Sequence, residues 1–69
     1  MADPKNPGGK QEIYVEFIVQ GGFMKATAIH AASGTEASIM GPANAPRDTL
    51  SAAAVRKLSY VLKKQNGGA

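Results

Sequence analysis

Few side chains in this sequence could do covalent or acid–base chemistry, and their spacing argues against it. The chain has one histidine, His30, and no cysteine. Neither a cysteine-based zinc site nor a His-rich one can be built, and no disulfide can brace the fold. Glu12, Glu16 and Glu36 read as a solvated strand face, while Asp3 falls in a Pro/Gly-rich opening and Asp48 beside the start of a predicted helix. Ser33, Ser38, Ser51 and Ser59 stand at no spacing that supplies a base. Gly8-Gly9-Lys10 hints at a phosphate loop, but Gln11 and an extended run follow where such a loop needs Ser or Thr and a helix. The expectation is a protein that is not an enzyme and takes neither cofactor nor metal, with His30 closing one end of the core face, bonded or half exposed.

A richer pattern lies near the C-terminus. On a helix, Tyr60 is three or four residues from Arg56, Lys57, Lys63 and Lys64, so a ring and four cations share a face. Such a face can contact phosphates and stack on a base. The alternative is that the cations keep the helix hydrated while Tyr60 packs over Ala53 and Lys64. A formal net charge of +3 and a pI near 9.5 favour nucleic acid only weakly, because five acidic residues are interspersed.

These residues need a scaffold, and the stretch from Glu12 to His30 specifies its centre. Two runs of alternating apolar residues, rich in β-branched and aromatic types, flank Gly21-Gly22. Both glycines can take positive φ, so a two-residue type I′ turn is predicted. Counting outward pairs Gln20 with Phe23, Val19 with Met24, Phe17 with Ala26, Val15 with Ala28 and Ile13 with His30. Because side chains alternate, Ile13, Val15, Phe17, Val19, Met24, Ala26 and Ala28 share the core face. The outer face carries Glu12, Glu16, Gln20, Lys25 and Thr27, but also Tyr14, Ile18, Phe23 and Ile29.

Ala31-Ala32-Ser33-Gly34 reads as a loop ending in a left-handed glycine and leading to a third strand, Thr35 to Met40. This length pairs Ala28 with Ala37 and Ala26 with Ile39, whereas a loop one residue shorter would bury Ser38. Gly41 to Pro46, with two prolines, is expected to be a connector outside the sheet. Asp48 is expected to cap a helix running to about Lys64. Leu50, Ala54, Val55, Leu58, Val61 and Leu62 then fall within an arc of about 140° that must lie on the sheet. The predicted class is α+β: a three-stranded antiparallel β-meander with one C-terminal α-helix packed on one face, β-β-β-α.

Sixty-nine residues make a single domain, at a size where one core supplies only about 3–5 kcal/mol. Composition predicts a disordered tail over 1–10, the domain over 11–64 and a second tail over 65–69. No stretch approaches the roughly 20 apolar residues of a membrane span, and the opening lacks a signal peptide's apolar run. A cytoplasmic protein is expected.

Val15-Glu16-Phe17, Gly34-Thr35-Glu36, Gly41-Pro42 and the run from Ala54 to Tyr60 resemble a family of short, uncharacterised bacterial proteins, a domain of unknown function. The similarity covers most of residues 13–62. It implies a compact free-standing unit and brings no activity, substrate or catalytic residue. The first strand would be an unblunted sheet edge, and nothing in the chain remains to cover Tyr14, Ile18, Phe23 and Ile29. The leading expectation is a non-enzymatic protein-interaction module whose partner is itself, as a homodimer, or another protein. The runner-up is a nucleic-acid binder using Arg56, Lys57, Tyr60, Lys63 and Lys64. Three glutamates against one lysine give the outer sheet face the wrong sign for a phosphate backbone, so that binding would use the helix.

Overall fold

The computed structural model describes residues 12–67. The tail expected over 1–10 lies outside the described residues, as do Gln11 and residues 68–69. Strands β1 (Ile13–Gln20), β2 (Phe23–His30) and β3 (Glu36–Pro42) precede one helix, α1 (Arg47–Gly67). The strands form one antiparallel sheet in the order β1-β2-β3, and the helix packs on one face of it, giving the β-β-β-α architecture.

The register is the one counted from the turn: Gln20 pairs with Phe23 and Ile13 with His30 on one side, Ala26 with Ile39 and Ala28 with Ala37 on the other. The turn itself differs. Only Gly21, at φ 60, has positive φ, which is the type II′ pattern rather than type I′. Both turns close a two-residue loop, so the register is unaffected. Gly34 is left-handed at φ 77, and its N–H donates to the His30 carbonyl at 2.8 Å while the His30 N–H donates to the Thr35 carbonyl at 2.8 Å.

β3 continues through Gly41-Pro42, two residues expected in a connector outside the sheet. The Ala43 N–H donates to the Gly22 carbonyl at 2.8 Å, so odd-numbered residues here face β2 and even-numbered ones face away. Pro42 occupies an outward position on an edge strand, where no ladder bond is lost. The helix also starts earlier than expected. The Pro46 carbonyl accepts the N–H groups of Thr49 at 3.1 Å and Leu50 at 3.3 Å, so Asp48 is not the cap but lies in the first turn, where its charge favours the helix dipole. At the other end the helix passes Lys64 and runs to Gly67, through part of the stretch expected to be a tail.

Small residues decide where the helix sits. Ala26, Ala28 and Ala37 give β2 and β3 a low floor, and Ala54 on the helix is fully buried against the same cluster with Met24, Leu50 and Leu58. Gly41 completes that floor: a Cβ there would lie 2.7 Å from a Leu50 methyl. The helix consequently lies over β2 and β3 and meets β1 least. Ile13, Val15 and Phe17 stand beside it, half-buried. Val19, expected in the core, is 52% exposed, because the helix does not reach that corner. Thr27, expected on the solvated face, is buried in the central strand and shares a 2.8 Å hydrogen bond with Ser38. Ala45 of the connector also packs on the core.

Candidate functional site

His30 ends β2 on the core face and is buried, with Nδ1 2.7 Å from Ser33 Oγ. Spacing along the chain gives Ser33 no evident partner; the left-handed Gly34 folds the loop so that residues three apart meet. The Thr35 hydroxyl donates to Gln65 Oε1 at 3.2 Å, and Ser33 donates to Thr35 Oγ1 at 2.8 Å. Ser33 Oγ also accepts the Thr35 N–H at 3.2 Å. Among the described residues His30 Nε2 is buried with no hydrogen-bond partner. The chain of bonds ties the β2–β3 loop to the last turns of α1. Among the described residues no group of three or more His, Cys, Asp or Glu could hold a metal ion.

On the outer sheet face, the register lays cross-strand residues in rows. Tyr14 stands opposite Ile29, whose other neighbour is Glu36; Ile18, Lys25 and Met40 form another row; Phe23 lies between Gln20 and Pro42. Tyr14, Ile18 and Phe23 are exposed and Ile29 is half-buried. Between the two apolar ends runs the row Glu16, Thr27, Ser38. The four residues expected to form one surface are thus two patches separated by a polar row. Tyr14 donates to Glu12 Oε1 at 3.2 Å. At the hairpin end, Phe23, Met40, Gly41 and Pro42 line an open apolar depression of about 420 Å³.

The helix carries Arg56, Lys57, Tyr60, Lys63 and Lys64, all exposed. Lys64 Nζ lies 5.5 Å from the Tyr60 ring centroid, a cation–π contact. Lys57 is committed elsewhere: its Nζ donates to the Ser38 carbonyl at 2.8 Å. Of the five residues expected to act together, three cations therefore share a face with the exposed Tyr60 ring, while Lys57 is turned to β3.

A family described as Domain of unknown function (DUF6898) matches residues 10–65. The chain belongs to this family. Among curated proteins none matches, and among solved structures none matches. Membership assigns no ligand or reaction, so the site must be read from the geometry of the domain itself. Among the described residues no helix is long and apolar enough to cross a membrane.

The remaining unbalanced feature is the pair of sheet edges. The Ala31 N–H donates to the Glu12 carbonyl at 3.0 Å, so even-numbered residues of β1 bond to β2 and odd-numbered ones turn their backbone groups outward. The outward set is Ile13, Val15, Phe17 and Val19, and no described residue pairs with them. Neither proline nor lysine interrupts this strand. Arg47 comes nearest to covering it, with its guanidinium 5.1 Å from the Phe17 ring centroid. At β3, by contrast, Lys57 holds one outward carbonyl and Pro42 presents no N–H.

Proposed function

We propose that this domain is a small non-enzymatic interaction module that associates with a second copy of itself. The observation that carries the reading is the β1 edge: an eight-residue strand whose outward backbone groups and half-buried apolar side chains lie at the margin of the sheet. Such an edge is a template for another strand, and natural sheets normally blunt it. Sedimentation equilibrium on the full chain tests the reading. A dimer mass at micromolar concentration supports it, and a monomer mass up to about 100 μM overturns it.

A second reading is supported by Tyr60, whose ring is 60% exposed beside Arg56, Lys63 and Lys64. An exposed ring amid cations suits a nucleic-acid strand, with binding that weakens as salt rises. Under this reading, Arg56→Glu with Lys63→Glu abolishes retention of single-stranded nucleic acid at low salt and leaves the fold intact. Equal retention by the double variant rules it out.

A further inference from the structure

We infer that the two copies join edge to edge through β1, antiparallel, about a two-fold axis that passes at Phe17 and stands normal to the sheet. This rests on the self-association reading and selects one surface and one register for it. An axis normal to the sheet keeps core faces on the same side, so two three-stranded sheets merge into one with β3 strands outermost and both helices on one face.

Three observations favour the edge and a second copy as its occupant. The outer sheet face is divided by the Glu16, Thr27, Ser38 row and offers no continuous apolar surface. Along the core face, β1 is the strand the helix covers least, so its side chains lack a neighbour on the outer flank. An unrelated strand would satisfy only the backbone. A second copy brings the same row of apolar side chains to the place where they are missing. The lysines agree with this geometry. Lys57 faces β3, and at 100° per residue Lys64 shares its flank, whereas Ser51, Val55 and Leu62 lie on the opposite flank, toward β1. The helix flanks turned toward the seam are therefore free of lysine, and the cation nearest the seam is Arg47, over Phe17 at 5.1 Å.

The register follows from exclusion and from ladder length, because an axis at Ile18 pairs only residues 16–20 inside β1. An axis at Glu16 would set two carboxylates directly opposite each other, which is unfavourable. An axis at Val15 would run the ladder past Ile13, where β1 begins. With the axis at Phe17, every paired residue from Tyr14 to Gln20 lies inside β1, Val15 meets Val19 of the other copy, and Glu16 meets Ile18. Val19 then gains the neighbour it lacks in the single chain.

The chain has no cysteine, so introduced thiols report cleanly. Glu16 and Ile18 are exposed, and across the axis they form a non-hydrogen-bonded pair, the closer kind and within disulfide reach. Full-length Glu16→Cys and Ile18→Cys proteins are mixed, equilibrated and oxidised mildly, with Met40→Cys on β3 as comparison. The expected result is a mixed disulfide joining one Glu16→Cys chain to one Ile18→Cys chain, in excess over either homodisulfide, with none at Met40→Cys. Val19→Lys, at an exposed edge position, is expected to yield monomer that still melts cooperatively, at the temperature the unaltered chain shows when diluted until it dissociates. A dimer mass that persists in Val19→Lys, or cross-links no better for the mixed pair than for Met40→Cys, overturns the β1 pairing while self-association stands. A monomer mass for the unaltered chain overturns both.

Discussion

The β1 and β3 edges share a backbone geometry and differ in what has been done to it. Along β3, Lys57 caps the outward Ser38 carbonyl, Pro42 removes an outward N–H, and Gly41 lets Leu50 of the helix settle against the strand. Along β1, Ile13, Val15, Phe17 and Val19 keep their outward backbone groups, and their side chains stand beside the helix rather than beneath it. One helix on a three-stranded sheet cannot shield both margins. Small residues on β2 and β3 draw it toward β3, where the lysine and proline also lie. The difference teaches that a small domain can use one helix to close one edge while the backbone groups of the other still point outward.

The largest expected effects set the two sides against each other. Leu58 is fully buried under the helix, so Leu58→Ala should cost about 2–5 kcal/mol and abolish a cooperative melt in a domain this small. Phe17→Ala should cost less in dilute protein, because that ring is only half-buried. Chemical denaturation of both variants decides this, and equal losses would mean that the helix covers β1 as fully as β3. A smaller effect is expected at Gly41. Gly41→Ala places a methyl against the buried Leu50 side chain and should destabilise by about 1–3 kcal/mol. A neutral result would show that the Leu50 methyl moves aside, or the helix rises off β3, without loss.

Much of this is legible in the sequence. Gly21-Gly22 dictates a two-residue loop, and alternation does the rest, so each predicted cross-strand pair in the hairpin is present. The third strand's register follows from keeping Ser38 off the core face. What escapes is lateral. The contrast between alanines on β2 and β3 and bulky residues on β1 is present in the sequence, but it points to where a helix docks only when read as floor height. Alternation alone, without that reading, counts Val19 as core. Pro42 looks like a strand breaker because a proline's tolerance depends on which way its nitrogen points, and that parity comes from the ladder rather than from local propensity. The outer-face apolar set is likewise visible, while its division depends on Thr27 being buried with Ser38. Lys57 groups with the other helix cations because helical spacing alone does not show which of them reaches an adjacent strand.

The smallest expected effect is also the most specific to the comparison. Lys57 is exposed, and its bond to the Ser38 carbonyl links the helix to an outward group of an edge strand. Lys57→Met keeps much of the side chain's length and its apolar stem while deleting the ammonium. Loss of one such solvent-accessible bond should cost about 1 kcal/mol or less, read as a small fall in denaturation midpoint with an unchanged slope. The second readout is association. With the carbonyl uncapped, the β3 edge acquires a little of the character of β1, and the variant should form species larger than a dimer at high concentration, because an open edge at each end permits repetition. Adding Val19→Lys should then cut growth back by blocking the β1 end. If Lys57→Met loses stability without any change in association, the lysine acts only as a helix-to-sheet tether, and protection of the β3 edge rests on Pro42 and the packed helix.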